Sequence, residues 1–151
     1  MSLINITISH DLPKVENWLQ KVQSVISNLQ PELIKTTDYL KEFFSTEVFR
    51  SEGGVYGQPW QPLAPATVRE KMKKYPLAGI LRRTGLMQNS FKSMGTTDYM
   101  IIYNSQDYFA AHQLGTNRIP QRIVMNLDRD RLNTIAAIVG QSITERLMSV
   151  L

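Results

Sequence analysis

The chain has 151 residues, of which 42% are hydrophobic and 20% are charged, and its formal net charge is +4. These values predict a single globular domain spanning residues 1–151 and argue against a disordered chain. Because cysteine is absent, disulfides, thiol nucleophiles and cysteine-based zinc sites are excluded. No apolar run approaches the roughly 18 residues of a membrane span, and no signal-peptide pattern opens the chain. We therefore expect no membrane association.

The N-terminal part of the chain predicts a short strand followed by an amphipathic helix. Isoleucines alternate with polar residues within Leu3–Ser9, which is typical of a half-buried strand. Asp11 is a candidate helix cap, and apolar residues then recur at three- and four-residue steps from Val15 to Leu29. This spacing predicts a helix of about four to five turns in which Trp18 is a packing residue.

A second amphipathic helix is predicted to begin after Pro31, which interrupts or restarts the helical pattern. Its apolar stripe runs from Leu33 to Phe49, and the helix should end at Ser51–Gly54, where glycine accepts a positive φ. The two helices either pack as a hairpin or form one long bent helix. The pattern does not decide between these arrangements.

A stiff loop leads from this helix into a short basic helix. Three of the seven prolines, together with Trp60, lie within residues 57–71. Proline fixes φ and biases its preceding residue towards extended geometry, so the loop should be rigid, with the indole of Trp60 buried. A basic helix is predicted over Pro65–Lys74, because proline is best tolerated in a helix's first turn.

A β-hairpin is predicted in the second half of the chain, after a turn within Ile80–Leu86. Asn89–Met94 is expected to pair with Tyr99–Asn104 across the turn that begins at Gly95. The second of these strands contains Met-Ile-Ile-Tyr, the clearest run of β-branched and aromatic residues in the chain.

The remaining elements are a short helix, a possible strand and a final helix. Residues Asn104–Asp107 are expected to cap a helix over Tyr108–Leu114 that ends at Gly115. Ile123–Met125 is a possible further strand, and Asp128 opens a last amphipathic helix. The order of elements predicts an α+β fold, in which N-terminal amphipathic helices and a C-terminal helix pack on a small, mostly antiparallel β-sheet.

Residues with catalytic chemistry are few and scattered. The two histidines, His10 and His112, have neither metal-ligand spacing nor a carboxylate pair beside them. No nucleophile motif, phosphate-binding glycine loop or carboxylate pair is present. We therefore predict that the protein is not an enzyme, and that it has no catalytic residues, metal site or cofactor.

Six basic residues fall within the fifteen positions from Arg69 to Arg83. Such a cluster is most often a solvated helix face, but it also suits sequence-independent contact with phosphates. The alternative function is therefore a nucleic-acid-binding protein that uses the stretch 69–83. The candidate contacts, with DNA or with a neighbouring subunit, are Arg69, Lys71, Lys74, Arg82 and Arg83.

A series of motifs runs from Phe49 to Arg122. Its members are a helix ending at Phe49, the G-x-x-W-x-P-L loop of Gly57–Leu63, Thr67 and Lys71 on the next helix, Ile80–Ser90 with its Thr-Gly-Leu turn, Tyr108–Gly115, and Ile119–Arg122. In order and spacing, over roughly residues 45–127, the series resembles the phage virion morphogenesis family, the Mu-like tail-completion group of tailed phages and prophages. The chain departs from that pattern at Tyr108-Phe109-Ala110, where Tyr-Ala is frequent, and at Gln121, where a small residue is frequent.

This resemblance implies a structural role in tail completion or head–tail joining. It implies a homo-oligomer, such as a ring, that contacts other tail or connector proteins, and a location in the virion after assembly in the host cytoplasm. The loop of Trp60, Pro62 and Leu63 would anchor the helices to the sheet. Candidate subunit contacts are His112, Gln113, Gly115, Ile119, Pro120 and Arg122.

Overall fold

The computed structural model describes residues 12–76 and 78–150, and it has the predicted α+β architecture. The elements are α1 (Leu12–Ile26), α2 (Gln30–Ser45), α3 (Glu47–Arg50), a 3₁₀ turn (Gly54–Tyr56), α4 (Pro65–Lys74), β1 (Phe91–Gly95), β2 (Met100–Asn104), α5 (Phe109–Leu114) and α6 (Arg129–Val150). The predicted strand at Leu3–Ser9 and the predicted cap at Asp11 lie outside the described residues.

Helix α2 is the central element of the fold, because it contacts both strands and α6. Phe43 and Phe44 on α2 are buried, and Val48 and Phe49 on α3 are fully buried. Burying an apolar side chain of this size stabilises a fold by roughly 1.5–3 kcal/mol. The predicted apolar stripe of the second helix is therefore confirmed as the centre of the core.

Helix α1 forms as predicted, but its apolar stripe is largely uncovered. Trp18 is 44% exposed and Leu19 is 52% exposed, while Val25 is the one residue of the helix that is fully buried. The prediction of Trp18 as a packing residue is therefore wrong for much of its surface. The reason is that α1 packs against α6 and not along α2. The two N-terminal helices thus form neither a hairpin nor one continuous helix.

The predicted β-hairpin is confirmed. Strands β1 and β2 are antiparallel, with Phe91 opposite Asn104 and Gly95 opposite Met100. The ring of Phe91 lies against the aromatic core, and its centroid is 6.0 Å from that of Phe44. The opposite face of the hairpin is uncovered, since Ile101 is 48% exposed there. Among the described residues, a helix therefore covers only one face of the sheet.

Two local predictions are wrong. Ile123–Met125 is not a strand, because side chains from other elements take up its backbone hydrogen bonds. Residues Asn104–Asp107 do not cap α5, whose N-cap is Tyr108 with no side-chain cap bond. The side chain of Asn104 is used elsewhere: its Nδ2 donates to the carbonyl of Met87 at 2.7 Å, and its Oδ1 accepts from the backbone of Gln106 at 3.1 Å.

The final helix begins as predicted, because the Asp128 carboxylate accepts a hydrogen bond from the backbone N–H of Arg131 at 2.9 Å. Its contact with α2 is polar. Glu32 of α2 is 1% exposed, and its carboxylate accepts a hydrogen bond from the guanidinium of Arg146 at 2.8 Å. Lys35 donates to the hydroxyl of Ser142 at 2.9 Å. One buried and one partly exposed polar contact therefore help to set how α6 lies on α2.

The buried Glu32 predicts an acid-dependent stability. Burial alone would raise the pKa of Glu32, but hydrogen bonds from Arg146, from its own backbone and from Ser142 outweigh it, so the pKa lies below its usual value. The stability from this carboxylate is therefore present above the unfolded-state pKa of about 4.5 and is lost as pH falls through the lower folded-state value.

We expect Glu32→Gln to lower the free energy of unfolding by about 1.5–3 kcal/mol at pH 7, because a charged hydrogen bond becomes a neutral one. The difference from wild type should shrink towards pH 3, as measured by urea denaturation. Glu145→Gln is the matched control, because Glu145 is exposed at 3.8 Å from Lys35, and it should change stability by less than about 1 kcal/mol. A difference between Glu32→Gln and wild type that does not vary with pH would contradict this account.

Candidate functional site

Trp60 fixes the proline-rich loop to two other parts of the chain. Its side chain is 6% exposed and packs edge-on against Phe49, with ring centroids 5.5 Å apart. Its indole N–H donates to the carbonyl of Ile123 at 2.8 Å, and its backbone N–H donates to the carbonyl of Glu52 at 2.7 Å. The loop is therefore held to the end of α3 on one side and to residues 123–125 on the other.

The other two loop residues assigned to this anchor differ in exposure. Leu63 is half-buried and packs against the core. Pro62 is exposed, so it acts on the loop through its fixed φ and not through burial.

Gln113 on α5 clamps residues 123–125. Its side-chain oxygen accepts hydrogen bonds from the backbone N–H groups of Val124 and Met125, at 2.8 and 3.0 Å. Its side-chain nitrogen donates to the carbonyl of Met125 at 2.8 Å. With the bonds from Trp60 to Ile123 and from the Tyr56 hydroxyl to Val124, side chains satisfy the backbone of this segment in place of a neighbouring strand.

The turn between α5 and this segment is closed by backbone contacts. The N–H of Arg122 donates to the carbonyl of His112 at 2.7 Å. Gly115 has a φ of 77°, and a Cβ atom there would lie 3.0 Å from the backbone nitrogen of Gln121. Arg122 is 5% exposed, and its guanidinium donates to the carbonyl of Gln61 at 3.0 Å. The turn and the tryptophan loop are thus joined.

Two of the residues predicted to contact another subunit are therefore engaged inside the chain. The side chains of Gln113 and Arg122 bond to the chain's own backbone, while Ile119 and Pro120 are half-exposed at the surface. Contact of this region with a second subunit stays a prediction. Of its six candidate residues, Arg122 is buried and the other five are half-buried.

A cleft of about 470 Å³ lies between α4, the turn before β1 and α5. It brings together four of the predicted site residues, Leu63, Lys71, Arg83 and His112, with Glu70 and Tyr108. Burial, and to a lesser degree the charge of Arg122, lowers the pKa of His112, so the imidazole is neutral at pH 7. Its Nδ1 is buried and has no hydrogen-bond partner among the residues that the structure describes.

The charged groups of this cleft are paired with one another or with backbone. The guanidinium of Arg83 forms an ion pair with Glu70. The ammonium of Lys71 is buried and donates to the carbonyl of Gly79 at 2.5 Å. Burial lowers the pKa of Lys71, Glu52 opposes the shift, and Arg82 and Arg83 add to it. No nucleophile lies against a base here, and across residues 12–76 and 78–150 no cluster of acidic or histidine side chains is arranged for a metal ion.

The predicted basic surface is reduced by these pairings. Arg82 lies 3.6 Å from Glu52, and Arg83 also lies over the ring of Tyr75 at 5.5 Å. Arg69, Lys73 and Lys74 are exposed. DNA contact by the stretch 69–83 stays a prediction, and it now concerns mainly these three residues.

Sequence reasoning missed Glu52. Its backbone has a φ of 50°, its carbonyl accepts from Trp60, and its carboxylate accepts from the backbone N–H of Ile80 at 2.8 Å. Glu52 therefore links the end of α3 to the loop and to the turn before β1. The sequence signal for this role was the position of Glu52 directly before Gly53-Gly54. A turn at the two glycines directs the Glu52 side chain away from the helix that it ends.

One of three comparisons with known proteins found a match. The model of the phage virion morphogenesis family matches residues 10–144, which is most of the chain and includes α1 to α5. Searches of curated proteins and of solved structures returned no significant match. Within the described part of the chain, no helix is both long and apolar enough to cross a membrane. Since the match spans far more than half of the sequence, the chain belongs to the phage virion morphogenesis family.

Proposed function

We propose that this protein is a structural subunit that acts in tail completion or head–tail joining during virion assembly. It self-associates, contacts other tail or connector proteins, and ends in the virion after assembly in the host cytoplasm. The observation that carries this proposal is the family match over residues 10–144. A phage structural or assembly role follows from the family, and the step in the assembly pathway is our proposal.

The distribution of exposed residues supports a binding role over catalysis. The described cleft holds paired charges and no nucleophile beside a base. Large apolar side chains are instead exposed on two separate surfaces, α1 with Trp18 and Leu19, and the outer face of the hairpin with Met94 and Ile101. Exposed apolar surface of this kind is typical of protein–protein contacts.

The proposal predicts a defect in particle assembly when the gene is removed. Electron microscopy of lysates from a phage that lacks this gene should show filled heads without attached tails, alongside separate tails. Restoring the wild-type gene from a plasmid should restore joined particles, which controls for effects on neighbouring genes. Joined, normal virions from the phage without the gene would contradict the proposed function.

A further inference from the structure

Strand β2 has an unpaired edge. The N–H of Thr96 donates to the carbonyl of Tyr99, and that of Ser105 donates to the carbonyl of Ser90. Because hydrogen-bonded pairs alternate along an antiparallel ladder, the peptide groups of Met100 and Ile102 point away from β1. No described residue hydrogen-bonds with them. This edge is therefore free to accept another strand.

An apolar groove of about 530 Å³ lies alongside this edge. Side chains of β2, α2, the chain leading into α6 and α6 itself form its walls: Met100, Ile102, Leu33, Leu40, Leu127 and Ile135. A segment that adds to the edge of β2 would place every second side chain in the groove. The groove and edge together therefore fit an extended peptide whose alternate residues are apolar.

The chain itself contains a segment of this kind. In Leu3–Ser9, Ile4, Ile6 and Ile8 alternate with Asn5 and Thr7, so one face of a strand there would be wholly isoleucine. A single strand leaves its backbone groups unpaired unless it adds to another strand. Adding this segment to β2 would give a three-stranded sheet and cover the groove.

We infer that residues 3–9 of one copy add to the edge of β2 in a second copy, with Ile4, Ile6 and Ile8 in its groove. The position of α1 favours a second copy over the same copy. Helix α1 has 15 residues, so Leu12 and Ile26 are about 21 Å apart. Lys14 and Trp18 of α1 lie beside Val150 at the end of α6, whereas the groove contacts Ile135, fifteen residues earlier on α6 and so about 22 Å away along that helix. Ser9 lies three residues before Leu12 and can return at most about 11 Å.

The inference rests on the self-association within the proposed function and names its contact. It can be tested by cross-linking, because the chain contains no native cysteine. Cysteine would be placed at Ile4, Ile6 or Ile8, each combined with Ile102→Cys, in the full-length protein. After mild oxidation, at least one pair should give disulfide-linked dimers or longer chains on a non-reducing gel. Ile101→Cys with the same partners is the matched control, because Ile101 lies on the opposite, exposed face of β2.

A second measurement uses point changes in the N-terminal segment. We expect Ile6→Asp to raise the dissociation constant for self-association by at least about tenfold, since it places a charge in the apolar groove. Asn5→Asp, on the polar face of the same segment, should leave it within about threefold. Light scattering over a range of protein concentrations measures both.

The outcomes separate this inference from the proposed function. Cross-linked species that contain several copies, together with weaker association of Ile6→Asp, support the inference. A cross-link within one copy would overturn it, as would an oligomer that neither cross-links nor responds to Ile6→Asp. Each of these last two results leaves the proposed function intact, whereas a wild-type chain that stays monomeric at all concentrations contradicts both.

Discussion

Replacing Gln113 with leucine is expected to lower the free energy of unfolding by about 3–5 kcal/mol. The Gln113 side chain forms three hydrogen bonds with the backbone of Val124 and Met125, at 2.8–3.0 Å. Val124 is fully buried, so water replaces these bonds poorly. Leucine has a similar volume but no polar atoms, and each unsatisfied buried group costs roughly 1–3 kcal/mol. Urea denaturation followed by circular dichroism measures the loss.

Gln121 provides the matched control for this substitution. It is exposed, and its side chain donates one hydrogen bond, at 3.2 Å, to the backbone carbonyl of Gln113. We expect Gln121→Leu to change the free energy of unfolding by about 0.5 kcal/mol or less, because solvent satisfies the freed groups. The clamp has no structural importance if the two leucine variants prove equally stable.

The elements set by local patterns could be predicted from the sequence. Helix α4 begins at Pro65 and ends at Lys74 as predicted, because proline is tolerated in the first turn and the next proline follows two positions after the end. The hairpin was predictable for the same kind of reason, since Tyr99–Asn104 combines strand-forming residues with a turn before it.

The elements set by distant partners could not be predicted. Ile123–Met125 has the composition of a strand, but its hydrogen-bond partners are the side chains of Gln113, Trp60 and Tyr56. The periodicity of α1 predicts an apolar face, yet it does not reveal that α1 packs on α6 and leaves Trp18 exposed. A pattern reports which face of an element is apolar, and only the tertiary arrangement shows what covers it.

The candidate site likewise contains features that the local sequence predicts and features that depend on tertiary packing. Trp60 was identifiable as buried from the prolines around it. The sequence did not reveal the pairing of Arg83 with Glu70 or the burial of Lys71, because both depend on how α4 lies against the turn before β1. The basic stretch therefore carries less exposed charge than its composition indicates.

Gly53→Ala is the second substitution with a large expected effect. Gly53 has a φ of 83°, and a Cβ atom there would lie 2.5 Å from both Cδ1 and Nε1 of Trp60. An L-residue in this backbone region costs about 1–2 kcal/mol, and the indole must also leave its contacts with Phe49 and Ile123. We expect the free energy of unfolding to fall by about 3–5 kcal/mol.

Gly57→Ala separates these two contributions. Gly57 has a φ of 78°, but nothing lies within 4 Å of a Cβ atom placed there. Its substitution should therefore cost only the backbone term, about 1–2 kcal/mol, and the excess for Gly53→Ala measures the contact with Trp60. In a Trp18→Phe background, fluorescence should shift to the red for Gly53→Ala alone, because only there does the Trp60 indole gain water. Equal losses in the free energy of unfolding and unshifted fluorescence in both variants would contradict this account. They would show that the position of the Trp60 indole does not require a glycine at position 53.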